Sequence, residues 1–199
     1  MITHKLKVKK LKVGHAGTLD PLATGLMIVC TGKATKRINE WMDADKEYLA
    51  TIELGRTTPS FDLETETDAT FTTEHITQET FAASLRGFHG ETQQTPPIFS
   101  AKNLQGKRAY HFAREGAEIE LAPNPVVISE LEIVSFDLPL VKIRMRCSKG
   151  TYVRAFARDI GKANQSGACL VGLRRTAIGE FRVEKAMTPD FFEKILSQL

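Results

Sequence analysis

Cysteine is scarce in this chain: three among 199 residues, at Cys30, Cys147 and Cys169. An odd number, far apart and without a CxxC pair, makes neither a disulfide framework nor the ligand spacing of a zinc site. A reducing, cytoplasmic location and no bound metal are therefore expected. Long apolar runs are also missing. None approaches the roughly 18 residues that cross a bilayer and no secretory signal opens the chain, so no membrane partner is expected. There is no internal repeat, low-complexity tract or flexible linker. Residues 1–199 read as one domain, and 42% hydrophobic residues suffice for one sizeable core.

Charge is present in both signs but is unevenly placed, with a net value of only +3. Lys5, Lys7, Lys9, Lys10 and Lys12 precede any acidic residue. Basic groups return at Lys102, Lys107, Arg108 and Arg114, then from Lys142 through Arg144, Arg146, Lys149, Arg154 and Arg158, and at Arg174 and Arg175. Acidic residues gather at Glu40–Glu47 and Asp62–Glu79. Such segregation suits a protein with one nucleic-acid face, because phosphates attract clustered Lys and Arg. A solvated basic face without a partner has the same composition.

Patterning along the chain points to short strands and few helices. Leu26-Met27-Ile28-Val29-Cys30 reads as a buried strand and Ala34–Asp43 as a helix with Ile38, Trp41 and Met42 on its apolar side. Tyr48–Leu54 alternates as a strand ending at Gly55, and the polar stretch Arg56–Thr73 reads as a long loop. Thr77–Leu85 is a helix with Thr77 as N-cap and Gly87 just past its end. Gln94-Thr95-Pro96-Pro97 is extended, and Gly106–Glu115 is a short basic helix. Val126–Phe136 and Val141–Cys147 form a hairpin, Tyr152–Ala163 a helix, and a strand from Leu170 precedes a last helix after Pro189. Strands outnumber helices without regular alternation, which is an α+β pattern with a mainly antiparallel mixed sheet flanked by helices.

One stretch stands out chemically: Gly14-His15-Ala16-Gly17-Thr18-Leu19-Asp20-Pro21, followed by Leu22-Ala23-Thr24-Gly25. The glycines permit turns, and Pro21 drives Asp20 out of helical geometry into a stiff loop. A carboxylate held in this way can serve as nucleophile or base. By itself an Asp-Pro among glycines is more often only a turn. Three further segments stand in order behind it. They are Asp43-Ala44-Asp45-Lys46-Glu47-Tyr48; Gln94 through Lys102 with Gly106-Lys107-Arg108-Ala109-Tyr110; and Cys147-Ser148-Lys149-Gly150-Thr151-Tyr152-Val153-Arg154 with Leu173-Arg174-Arg175-Thr176.

Together these four segments resemble the TruB family of tRNA pseudouridine synthases over nearly the whole chain. The resemblance implies a pseudouridine-synthase-like fold and an isomerase that converts a uridine, at position 55 in the T arm of tRNA, to pseudouridine. Such a reaction breaks the N1–C1′ bond, turns the uracil and joins its C5 to the same carbon, so it needs no cofactor. The resemblance makes Asp20 the catalytic residue, places Tyr48 against the target base, and assigns His15 to the gap left by the flipped nucleotide. It also puts Asp62 near the pocket and Leu173 in the pocket wall. Arg154 is suited to grip Asp20 by two hydrogen bonds. On its own sequence context Arg154 reads equally as a phosphate contact or a surface charge. Flipping the nucleotide would leave the basic segments, with Lys102, Lys107, Arg108 and Lys149, to hold backbone phosphates.

The chain departs from the pattern in places. The family has a strand with a Lys-Pro-x-Gly-x-Thr-Ser-like motif before the aspartate loop, and none precedes Gly14. An N-terminally incomplete catalytic domain with an open sheet edge is thus expected. The C-terminal RNA-binding domain of many relatives is expected to be absent, and Asn124 stands where the family has arginine. Two other readings share these residues: a non-catalytic RNA-binding or tRNA-folding protein, and a carboxylate glycosidase that would need a second positioned acid. Partners other than tRNA are not legible.

Overall fold

Three short strands come first among the residues that the computed structural model describes, which are 11–100, 103–104, 107–108 and 121–198. These are β1 (Val13–Ala16), β2 (Ala23–Gly25) and β3 (Ile28–Thr31), and a 3₁₀ turn (Gly32–Arg37) leads from them into α1 (Ile38–Asp43). The long strand β4 (Lys46–Leu54) follows, then the small pair β5 (Arg56–Thr57) and β6 (Ala69–Thr70), helix α2 (Gln78–Arg86) and strand β7 (Gly90–Gln94). Next come β8 (Asn103–Leu104), β9 (Lys107–Arg108), β10 (Asn124–Asp137), β11 (Leu140–Cys147) and α3 (Val153–Ala163). The chain closes with β12 (Ala168–Ile178), β13 (Phe181–Arg182) and α4 (Pro189–Leu196).

The main sheet has seven strands, in the order β13-β12-β4-β11-β10-β7, with β2 alongside β12. All its pairings are antiparallel except β2 with β12, which is parallel. Alternation dictates its two faces. Ala50, Ile52, Leu54, Val141, Ile143, Met145 and Ile128 are buried on the inner face, where α2 brings Phe81 and Leu85 and α3 brings Val153, Phe156 and Ile160. In α3 those residues recur every three to four positions, which lays one apolar stripe on the sheet. Thr77 caps α2 with a reciprocal box, its hydroxyl accepting from Thr80 N–H while the Thr80 hydroxyl accepts from Thr77 N–H.

The α+β expectation and the hairpin, Thr77-capped helix and Tyr152–Ala163 helix read from sequence are all present. Three local readings change. Leu26–Cys30 is not a buried strand: only Ile28–Thr31 is extended, and Met27 and Val29 are 36% and 48% exposed. The reason is that among the described residues β3 pairs with β1 in a two-stranded ribbon outside the main sheet. Arg56–Thr73 is not a plain loop. β5 and β6 pair within it, and Thr57 donates to Asp68 across the pair. Within Gly106–Glu115 the described residues Lys107–Arg108 pair with β8 as strand instead of helix, and the remainder lies outside the described residues.

Glycine is required where β2 meets β12. Gly25 has φ +107°, and a Cβ there would sit 2.2 Å from the Arg175 carbonyl oxygen and 2.7 Å from its nitrogen. Gly25→Ala should therefore destabilise the protein by about 2 kcal/mol or more in urea unfolding. Gly150→Ala, at φ +80° but with open space around the added carbon, should cost only about 1 kcal/mol. Equal losses would show that close packing of β2 on β12 is not what selects glycine.

Candidate active site

The Asp20 loop is fastened at both ends to one strand. It leaves β1, turns at Gly17 (φ +85°), and closes a tight turn in which Ala23 N–H donates to Asp20 C=O at 2.9 Å. It then pairs with β12 through Ala23–Leu173, Thr24–Arg174 and Gly25–Arg175, and Leu26 N–H donates to Arg175 C=O at 2.8 Å. The Arg175 side chain finishes the attachment. Its residue is only 1% exposed, and its guanidinium donates to Leu26 C=O at 2.8 Å and to Gly17 C=O at 3.1 Å. One buried cation thus ties the two stems of the loop together through main-chain carbonyls.

Arg154 meets the loop from α3. Its Nε and Nη2 donate to the two carboxylate oxygens of Asp20, each at 2.9 Å, the side-on bidentate geometry in which guanidinium and carboxylate pair best. The side chain of Arg154 is 5% exposed and that of Asp20 37%. The arginine is therefore inside, and the carboxylate forms the solvent-facing end of the pair. Asp62 stands on the other side, with its Oδ2 at 3.5 Å from Arg154 Nε and its side chain as buried as that of Arg154. The Asp62 turn is well supported. Thr58 and Ser60 hydroxyls donate to Asp62 C=O, Glu64 N–H donates to its carboxylate at 3.0 Å, and Asp62 bridges to Leu170 of β12. Ser60 C=O accepts from Arg154 Nη1 at 3.4 Å.

A small cleft opens over this cluster, lined by Asp20, Leu22, Ala23, Asp62 and the β12 segment Leu170–Leu173. Its walls are apolar apart from the two carboxylates. Tyr48 is half-buried on the inner face of β4, level with Met145 on one side and Arg175 on the other. Burial pushes its phenol up to about 12, with the nearby Arg175 opposing the shift. His15 is exposed on β1 opposite Val29, at the entrance to the loop. Asp20, Arg154, Asp62 and Leu173 are thus brought together, while neither Tyr48 nor His15 is among the residues that line the cleft.

The expected phosphate-gripping residues are not assembled in the same way. Lys142, Arg144 and Arg146 alternate with the buried residues of β11 and so lie on the outer face of the sheet, away from α3. There Arg144 pairs with Glu132 at 2.7 Å, and Arg146 lies 3.7 Å from Glu130 and 3.9 Å from Asp45. Lys149 is exposed and bonded to Asp43 at 2.8 Å. Lys102 lies outside the described residues, and Lys107 and Arg108 are described only as backbone of β9. Arg175 belonged by sequence to the basic set and proves to be interior. A buried arginine is not distinguishable by sequence from a phosphate ligand, although its place two residues after Leu173 on an apolar strand was a signal.

Residues 4–153 match the family model described as TruB family pseudouridylate synthase, N-terminal domain. The chain belongs to the TruB family. Relatives agree: it is 60% identical over 197 residues to tRNA pseudouridine synthase B of Parabacteroides distasonis, covering 99% of this chain and 84% of that protein. It is 43% identical to the protein of the same name from Opitutus terrae, over 98% of this chain and 80% of the relative. Among solved structures, a chain of a Cbf5–Nop10–Gar1 complex superposes with a TM-score of 0.68 at 25% identity, covering 91% of this chain and 44% of that one. A chain of an H/ACA ribonucleoprotein bound to RNA containing 2′-deoxyuridine shares the fold at 24% identity, TM-score 0.63. As a TruB pseudouridylate synthase the protein is an isomerase.

Two outcomes follow from this geometry. Tyr48 keeps its proton in the folded protein up to pH near 12, whereas an unfolded tyrosine releases it near 10. Its contribution to stability is therefore complete below pH 10 and declines as pH rises toward 12. Melting temperatures measured across that range should fall more for the native protein than for Tyr48→Phe. Arg175→Met would leave the Gly17 and Leu26 carbonyls without their donor. We expect a loss of about 2 kcal/mol in denaturant unfolding together with at least about a tenfold drop in turnover. A variant with full activity would show that the loop keeps its shape without that clamp.

Proposed function

We propose that this protein converts a uridine in the T arm of tRNA, position 55, to pseudouridine, with Asp20 as the catalytic residue. The observation that carries the reading is the Asp20 carboxylate, gripped at both oxygens by a buried arginine and open to solvent at the mouth of an apolar cleft. The clamp orients the carboxylate beside a small apolar cleft lined by Leu22, Ala23, Leu170 and Leu173, which must widen to admit a flat base. In that position it can add covalently to an electrophilic carbon or stabilise positive charge on the sugar while the N1–C1′ bond opens. The detached uracil turns, its C5 bonds to C1′ as any bond to Asp20 breaks, the C5 proton passes to a base or water, and N1 takes up a proton in its place. Atoms balance without an added group.

Arg154 and Asp62 hold Asp20 in this scheme, Leu173 and Tyr48 enclose the base, and His15 occupies the rim from which the nucleotide was drawn. The names of the 60% identical relatives support tRNA as the substrate. Three buried, unpaired cysteines suit a reducing, cytoplasmic setting.

The test uses a tRNA transcript carrying tritium at C5 of its uridines. The protein should release label to water, and Asp20→Asn should release none while binding the transcript within about threefold of the native affinity. Release by Asp20→Asn would remove the carboxylate from the chemistry. Binding without release by the native chain would favour the RNA-binding reading, and free uracil in the products would favour a glycosidase.

A further inference from the structure

Helix α3 carries Arg154 in its first turn, and the start of a helix is its least determined part, because the first N–H groups have no partner within it. Tyr152, the N-cap of α3, makes no side-chain cap. Its main chain is held instead by Gln94, the last residue of β7. Gln94 Oε1 accepts from Tyr152 N–H at 2.8 Å, and Gln94 Nε2 donates to Tyr152 C=O at 3.1 Å. That carbonyl also accepts the first helical bond, from Phe156 N–H at 3.1 Å. The next residue repeats the hold further along, since Thr95 C=O accepts from Arg158 Nη2 at 3.1 Å. The end of β7 therefore grips α3 two residues before Arg154 and four residues after it.

Gln94 is 5% exposed, so its amide has been taken from water and must be repaid in hydrogen bonds. A primary amide offers one acceptor and one donor side by side, which matches the N–H and C=O of a single residue. Glutamate has no donor, methionine has neither, and asparagine is one carbon short. The pairing fixes the peptide planes on both sides of Tyr152, and with them the direction in which Arg154 leaves the helix. A tilt of about 10° at the base of an arginine roughly 7 Å long moves its guanidinium by about 1 Å, and an error of that size in a site can cost about a hundredfold in rate.

We propose that Gln94 is a positioning residue: its amide sets the start of α3 so that Arg154 presents Asp20 in reacting geometry. This rests on the reading of Asp20 as the catalytic residue. Gln94 itself touches neither the carboxylate nor the cleft over it.

The experiment is a double-mutant cycle on the full chain, with Gln94→Met, Arg154→Lys and both together, read by single-turnover tritium release and by the affinity for tRNA. Gln94→Met should slow release at least about tenfold, with tRNA affinity within about twofold of native, and should add little once Arg154→Lys is present. Should circular dichroism show Gln94→Met unfolded, the cycle is run with Gln94→Glu, which keeps the acceptor for Tyr152 N–H. An unchanged rate, a loss confined to tRNA affinity, or losses that multiply with those of Arg154→Lys would each overturn the proposal. Asp20→Asn run alongside separates the two claims. Turnover by that variant would fell the reading of Asp20, whereas an inactive Asp20→Asn with a fully active Gln94→Met would fell only the role of Gln94.

Discussion

A guanidinium taken out of water must find opposite charge, and the rest of this structure is arranged around meeting that need for Arg154. Its side chain is 5% exposed and lies between two carboxylates, one at 2.9 Å and one at 3.5 Å. Removing the arginine would strand the buried Asp62 carboxylate without its cation, a loss that typically costs about 3–5 kcal/mol. Three segments far apart in the chain are bound by this requirement: the Asp20 loop, the Asp62 turn and the start of α3. Each is also tied to the same sheet, by β2, by the Asp62–Leu170 bridge and by the apolar stripe of α3. The geometry of the Asp20–Arg154 pair is thus a by-product of neutralising a buried charge within a rigid frame.

The sheet divides labour between its faces. The inner face buries Ala50, Ile52, Val141, Ile143 and Met145 and lies under the site, while the outer face carries charge of both signs. Cross-strand neighbours on that outer face satisfy one another, with Arg144 beside Glu132 and Arg146 near Glu130. Basic groups already paired with carboxylates offer less net positive charge to displace the condensed counterions of a polyanion, so clustering along the sequence overstates the field an RNA would meet. Exposed pairs of this kind also add little to stability.

Much of the fold was legible because the signals were local. Period-two alternation marked β4 and β11, Thr77 marked the start of α2, and apolar spacing marked α3. The misreadings came where tertiary context decides. Leu26–Cys30 has the composition of a core strand, but among the described residues its strand part pairs with β1 outside the main sheet, and Met27 and Val29 stay exposed. Arg56–Thr73 has loop composition, yet short hydrogen bonds from Thr58 and Ser60 fold it into the platform for Asp62. Within the site, Asp20 was legible from its glycine and proline neighbours and from the company of the other segments. Arg154 and Arg175 carry the same sequence signature as phosphate ligands. The resemblance had pointed Arg154 at Asp20, whereas only the fold shows that Arg175 faces a pair of carbonyls. Gln94 was visible as part of a motif, but its partner is a backbone, which leaves no mark in side-chain patterns.

The parallel pairing of β2 with β12 has a bearing on how the molecule comes into being. Thr24 donates to the carbonyl of Leu173, 149 residues later, and the Asp20–Arg154 pair spans 134 residues. Contacts of such high order are made late, since a long loop must close before they repay its entropy. A chain emerging from the ribosome can pair β1 with β3, and later β10 with β11, as soon as each is out, yet β2 must wait for β12. Until then the aspartate loop has no strand to lie on. The docked form of the Asp20 loop is therefore among the final features to assemble, and a chain arrested before β12 would carry every residue of that loop and have no place to dock it.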